Sequence, residues 1–578
     1  MTEPTNEPAN SIEQARPKRT KLWVALALVL VLAAGGGVYW ALRPSADEDK
    51  TASDKVEGAS GPVTGGTFKF GVFMSHSTPD PQAGGGYTDA IIGNNVTDKL
   101  TWQDPDSGEI TPWLAESWEF NEDITEYTFK LRQDVTFSDG TPFNAEVVKA
   151  NFDQYVLGDP ALDIDPNGAP YFPGYLGTEV VDEFTVKVSF DRPSAGFLQG
   201  SSFTANYQPG FLALATLAKS AEERTDPKNV IGTGPFVYEE WIENVRTVVV
   251  KRPDYNWAPP ALERQGAAYL DKIVFNILPE GSVRTGALRS GEVDAILDVT
   301  TTDEGPLAAD GFEIVARQAS GSTYYLNLFP GAFPTDDINV RRAIQLGWNR
   351  ESLRKTALSD SYTDGTSAVG DTVNGWVDYS GDGPLRYDPE EAKRLLEESG
   401  WEEGPDGIRV KDGQRLEIKH FGVQNVVPVK AALESIQLDL ADIGIDFQIN
   451  VLAGPDFSAA MQKGASEYNA LSLNRSRNDI AVLNTLYNPT IDNGAYIDQG
   501  FEGHDDLVAS LSKLEQTLDP AERTKYAKAA QDLLIEEYAL VVALFNPSQV
   551  IAQAPYVHDI LFDAQARNHF RNTWLETR

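Results

Sequence analysis

The chain has 578 residues, 41% hydrophobic and 10% aromatic, which is enough for several packed units and excludes a mainly disordered chain. Its 86 acidic and 48 basic side chains give a formal charge of -38, a field that repels phosphate backbones and excludes a nucleic-acid binder. Cysteine is absent, so disulfides, thiolate metal sites, cysteine nucleophiles and thioether lipidation are excluded together.

Residues 1–21 form a polar tail ending in Arg16, Lys18, Arg19 and Lys21, and an uncharged run follows from Leu22 to Leu42. About 20 apolar residues match a hydrocarbon core of about 30 Å, and the basic flank keeps the N-terminal end in the cytoplasm. A cleaved signal peptide also starts with basic residues and an apolar core. This run, however, continues through Val38, Tyr39, Trp40, Ala41 and Leu42, so the expectation is a retained single-pass transmembrane helix with everything after Arg43 outside. Leu32-Ala33-Ala34-Gly35 is what precedes a lipid-bearing cysteine, but position 36 is glycine. Residues 43–65, rich in Ser, Asp, Glu, Gly and Lys, are expected to be a flexible linker.

Beyond the linker, period-2 and helical patterns alternate, which sets the class as α/β with mixed sheets flanked by helices. Tyr127, Phe129 and Leu131 alternate with polar residues, as do Phe184, Val186, Val188 and Phe190, and both runs predict half-buried strands. Asn144 is a predicted N-cap for a helix placing Val148, Phe152 and Tyr155 on one face. Asp388-Pro389-Glu390-Glu391 and Asp519-Pro520-Ala521-Glu522 each place a carboxylate at the N-cap and proline at the first helical position. Leu416 and Ile418, then Val429 to Ile443 at helical spacing, then Ile445, Phe447, Ile449 and Val451 predict a βαβ crossover, with Gly444 ending its helix.

Chemical motifs are sparse. His76, His420, His504, His558 and His569 show no paired metal-ligand spacing. Asp163-x-Asp165-x-Asn167-Gly168 copies half of a calcium loop, but Gly174 stands where the closing glutamate belongs, so an Asp/Asn-rich turn is the reading and weak calcium binding the alternative. Ser352-Leu353-Arg354-Lys355 fits the S-x-x-K pattern of a lysine-activated serine nucleophile, without the accompanying hydrolase elements. No cofactor motif is present; Gly232-Thr233-Gly234-Pro235 is expected to be a turn.

The segment Leu114 to Phe152, LAESWEFNEDITEYTFKLRQDVTFSDGTPFNAEVVKANF, resembles the extracytoplasmic solute-binding proteins of the peptide and nickel class (solute-binding protein family 5), which serve ATP-driven ABC importers. Gly232 to Phe236, Asn339 to Ala343 with Asn349-Arg350-Glu351, and Tyr387 to Trp401 are similar to further motifs of that family, and the resemblance covers residues 66–578. It implies a two-lobed periplasmic-binding-protein-like fold of type II. Lobe I would span 66–318, with an extra subdomain at about 109–228 and a C-terminal return at 546–578; lobe II would span 319–545. Crossing segments are expected near Arg317 to Thr323 and Leu540 to Phe545.

The resemblance also implies a monomer that performs no catalysis, captures a peptide-like ligand and hands it to permease subunits in the membrane; a ligand-responsive sensor, or a binder of a metal chelate or oligosaccharide, is the alternative. By the same resemblance Asp479 would hold a ligand ammonium, within Asn474-Arg475-Ser476-Arg477-Asn478-Asp479. Phe421 to Asn425 stands where dipeptide binders carry an arginine, so Arg475 or Arg477 would substitute. His76, Gly86, Tyr87 and Thr88 match ligand-facing loops of lobe I. Tyr324 and Tyr325 are either ligand contacts or strand core, and Trp376 is either a pocket wall or surface packing.

Overall fold

The computed structural model describes residues 61–84, 86–168, 172–202, 210–262, 264–423, 427–452, 454–488 and 503–577. The expected tail, the transmembrane run 22–42 and the linker up to residue 60 lie outside the described residues, as do Gln424 and Asn425. Among the described residues no helix is long and apolar enough to cross a membrane.

Two seven-stranded mixed sheets and one four-stranded antiparallel sheet carry the architecture. In the first sheet the order is Glu313–Gln318, Ser548–Gln553, Ala295–Leu297, Thr67–Val72, Lys272–Ile277, Arg246–Lys251 and Phe236–Ile242. Thr67–Val72 pairs in parallel with both Lys272–Ile277 and Ala295–Leu297. Phe68, Phe70 and Phe275 alternate inward and meet Phe570, whose ring centroid lies 5.2 Å from that of Phe70. Each such fully buried Phe stabilises the fold by roughly 1.5–3 kcal/mol relative to exposure.

The four-stranded sheet runs Ala115–Phe120, Glu126–Leu131, Thr185–Phe190, Tyr175–Asp182. Tyr127, Phe129, Val186 and Val188 are its buried face, as the period-2 pattern predicts, and they share one core with Val148 and Phe152 of the helix Ala145–Leu157. That helix starts where expected, with Asn144 Oδ1 accepting the Val147 N–H at 3.2 Å. Gly232 and Gly234 bring their turn so close to Val96 that a Cβ would stand 2.0 Å and 2.4 Å from its backbone, which explains the glycines without any nucleotide.

The second sheet has the path Thr363–Asp364, Val541–Asn546, Tyr324–Leu328, Ala470–Leu473, Glu417–Val423, Asp446–Gln448, with Val451–Leu452 also paired to Glu417–Val423. The expected βαβ unit is present: Ile418 pairs in parallel with Phe447, and the helix Val429–Asp442 makes the crossover. Asp388 and Asp519 cap their helices by accepting from Glu391 N at 3.1 Å and Glu522 N at 2.9 Å, each with proline in the first turn.

The chain passes between the two large sheets at residues 319–323 and again at Pro547, and Ala319 N donates to Pro547 O at 2.8 Å. The expected second crossing at Leu540 to Phe545 is therefore displaced: Val541–Asn546 is fully buried and belongs to the second sheet, where its apolar side chains are covered on both faces. Gly321, at φ 142°, packs so tightly on residues 475–477 that a Cβ would meet Arg475 O at 2.2 Å.

Replacing Asp388 with alanine leaves an orphan N–H at the start of Pro389–Glu398 and is expected to lower stability by about 1 kcal/mol in urea unfolding. An unchanged midpoint and slope would show that the cap contributes nothing.

Candidate functional site

A cavity of about 340 Å³ opens where the segments flanking the four-stranded sheet meet the second sheet's surroundings. Gln103 and Gln199 line it from one side, and Asn374, Asn478, Asp479 and Arg523 from the other. The lining mixes these amides and charges with the apolar Ile110, Leu198, Ile480 and Leu518, so it can hydrogen-bond a small solute and also cover its apolar surface. The two sides are also tied directly. Gln103 Nε2 donates to Asn478 O at 2.7 Å, and Gly196 N donates to Glu515 Oε2 at 3.0 Å.

Asp479 stands in the cavity wall with its charge already engaged: Oδ1 accepts from Arg523 Nη2 at 2.6 Å and from Ala481 N at 2.7 Å. A ligand ammonium would share the carboxylate with Arg523. Arg477 departs from its expected role. It is 5% exposed and bonds Gln199 Oε1 at 2.9 Å, Thr485 Oγ1 at 3.0 Å and Gly196 O at 3.0 Å, so each of its nitrogens holds protein together across the cavity mouth. Ser476 is buried and bridges to Gly321, while Arg475 N donates to Ser322 Oγ at 2.8 Å and Asn474 is half-buried beside it. Trp376 is exposed and caps a turn on Val373, outside the cavity lining although Asn374 belongs to it.

The early-loop residues sit elsewhere, against the first sheet. His76 is 1% exposed, with Nδ1 3.1 Å from Thr247 Oγ1 and its ring stacked on Tyr238; burial pushes its pKa down to about 3. It is a neutral core histidine. Gly86 is the N-cap of the helix Tyr87–Val96, and its N–H donates to Asp89 Oδ2 at 2.6 Å. Thr88 is buried in the first turn, and Tyr87 donates its hydroxyl to Ala566 O at 3.0 Å.

Tyr324 and Tyr325 are strand core, both fully buried. Tyr324 stacks on Phe545 and joins a directional chain that sequence reasoning missed. Asn450 N donates to His420 Nδ1 at 3.4 Å, which leaves the His420 proton on Nε2, 2.8 Å from Ser472 Oγ. Ser472 in turn lies 2.9 Å from the Tyr324 hydroxyl, which donates to Val423 O at 3.2 Å. His420 continues the alternation of Leu416 and Ile418 along its strand, and its partners come from strands distant in sequence.

The remaining motifs are held in local structure. Lys355 Nζ is held by Glu351 at 2.6 Å on an exposed helix face, so no lysine activates Ser352 and the S-x-x-K reading fails. Asp163 to Gly168 is a turn in which Asn167 donates to Gln82 O, and among the described residues no cluster of three metal-ligating side chains occurs.

Burial pushes the His420 pKa from 6.5 to about 3, so the folded protein refuses a proton that the unfolded chain accepts. This contribution is complete above about pH 6.5 and is lost as pH falls towards 3, at about 1.4 kcal/mol per pH unit. The wild type is therefore expected to lose stability relative to His420→Gln at that slope between pH 6 and 4.5 in denaturant titrations. Parallel curves would show that His420 takes up its proton while folded.

Comparison with known proteins agrees with this architecture. Residues 109–494 match the model of the bacterial extracellular solute-binding proteins, family 5. The chain is 32% identical over 363 residues to the nickel-binding periplasmic protein of Escherichia coli (strain K12), a match covering 59% of this chain and 63% of that protein. It is 28% identical over 509 residues to di/tripeptide-binding protein 2 of Pseudomonas aeruginosa (strain UCBPP-PA14), covering 84% and 87%. The crystal structure of NikA from Brucella suis in complex with Fe(III)-EDTA superposes with a TM-score of 0.76 at 24% identity, covering 88% of this chain and 100% of that one, a likeness of fold. With the mixed-sheet architecture and two thirds of the chain inside the matched region, the chain belongs to the bacterial extracellular solute-binding proteins of family 5.

Proposed function

We propose that this chain is the substrate-binding component of an ABC importer, a monomer that captures di- or oligopeptides between two lobes and delivers them to a membrane permease without changing any covalent bond. The observation that carries this reading is the cavity of about 340 Å³, lined by both polar and apolar side chains from the two parts of the chain on either side of its crossings. Family membership supports it, as do the relatives named for di/tripeptides and for nickel. The lobes in this reading are 66–318 with 546–578, and 319–545, and the apolar run 22–42 is a retained anchor. Asp479 is then the ammonium contact, shared with Arg523, with Asn474, Arg475 and Ser476 close to the bound solute.

Closure follows from differential affinity: a solute that touches both lobes binds the closed form better, and only that difference shifts the population. Small-angle scattering of the full chain in detergent is expected to show a smaller radius of gyration with trialanine or with nickel-histidine than without. An unchanged profile across both, with no heat of binding, refutes the reading. Asp479→Ala is expected to weaken trialanine at least about 10-fold, because a desolvated ammonium loses its counter-charge. The retained anchor predicts that the full chain stays in the membrane pellet after carbonate washing; recovery in the supernatant refutes it.

A further inference from the structure

Gly196 precedes the short helix Phe197–Ser202, whose Phe197 shares the core of the four-stranded sheet. Both backbone polar groups of this glycine are taken by side chains from the other part of the chain. Its N–H donates to Glu515 Oε2 at 3.0 Å, and its carbonyl accepts from Arg477 Nη2 at 3.0 Å. Arg477 and Glu515 are only 5% and 9% exposed, so two charges are buried where the parts meet. Ala195 N adds a bond to Glu515 O at 3.2 Å.

The fit depends on the missing side chain. A Cβ at position 196 would stand 2.6 Å from Arg477 Nη2 and 3.2 Å from Ala481 Cβ, so any side chain there displaces the guanidinium. The grip also extends sideways. Arg477 Nε donates to Gln199 Oε1 at 2.9 Å, Gln199 Nε2 to Gln103 Oε1 at 3.4 Å, and Gln103 Nε2 to Asn478 O at 2.7 Å, which closes a ring back onto the residue after Arg477. From behind, Thr485 Oγ1 accepts from Arg477 Nη1 at 3.0 Å and Asn484 Nδ2 donates to Glu515 Oε1 at 3.4 Å. Each of these partners is a protein atom, so the arrangement needs no solute to complete it.

Burying two charges costs desolvation that their hydrogen bonds largely offset, and water replaces those bonds when the surfaces part. Such a contact is modestly favourable and reversible. We propose that Arg477 and Glu515 form a clasp on Gly196 that holds the two lobes shut in much of the empty population, so that a solute enters only after the clasp lets go. This inference rests on the solute-binding reading above and adds a gate to it. An entry-competent fraction below one lowers apparent affinity by that fraction, and a clasp that re-forms around the guest slows its escape.

Spin labels on Lys130→Cys and Lys525→Cys, exposed positions of the two parts in a chain without native cysteine, test it on the full chain in detergent. Without solute, the otherwise unaltered protein is expected to show two label distances, the shorter being the clasped form. Arg477→Gln and Gly196→Ala are each expected to cut the shorter-distance population at least about 3-fold and to speed association of trialanine or nickel-histidine about 2-fold. Dissociation is expected to speed up as well. A merely structural lesion does not accelerate association. An empty protein without the shorter distance, or variants that keep its distribution and its association rate, overturn the clasp; heat of binding with either probe then leaves the solute-binding reading standing. Absence of heat with both probes removes that reading and the gate with it. Where Arg477→Gln does not fold, Gly196→Ala and the distances in the empty protein decide.

Discussion

The two large sheets are joined by two chain crossings that lie side by side, and this constraint governs the rest of the molecule. Strand Glu313–Gln318 ends in the first sheet and Tyr324–Leu328 begins in the second; Val541–Asn546 and Ser548–Gln553 make the return journey as their partners. Between them, the bond from Ala319 N to Pro547 O ties the crossings together. So short a double connection leaves only a few backbone torsions between the two sheets. Contacts between the two parts include Arg477 to Gln199 and Gly196, Gln103 to Asn478, Glu515 to Gly196, and Ser359 and Ser361 to Glu304.

Polar side chains near this junction divide into those already satisfied and those still bare. Arg477 and Asp479, both conspicuous in a linear reading, are occupied by protein groups. Arg567, Gln565 and Thr88 are buried with bare polar atoms.

Much of the local structure was legible from residue patterns. The strands around Phe129 and Val186, the helix capped by Asn144, the proline-started helices after Asp388 and Asp519, and the crossover around Ile436 each follow from short-range rules of period and capping. What the sequence hid depends on long-range pairing. Val541–Asn546 was misplaced as a connector because an apolar run buried on both faces has no alternation to mark its partners. The site was less legible still. The resemblance placed His76 in a ligand-facing loop and left Tyr324 open between ligand contact and strand core, yet both are buried, with His76 Nδ1 beside Thr247 Oγ1 and the Tyr324 hydroxyl held by Ser472 and Val423. Arg567 carried no local signal, since its stacking on Tyr87 joins two segments far apart in sequence.

The position of Ser548–Gln553 has a bearing on how the chain is made. It inserts between Ala295–Leu297 and Glu313–Gln318, two strands that are near neighbours in sequence and have no direct pairing without it. During synthesis the N-terminal sheet must therefore wait, with a strand-wide gap and exposed ladder groups, until the whole intervening segment has emerged from the ribosome. The second sheet, built from residues 324–546, is complete before that moment. Late-closing sheets of this kind fold slowly and leave edges open to wrong partners, so for this protein a holding chaperone during translation and export has a defined target.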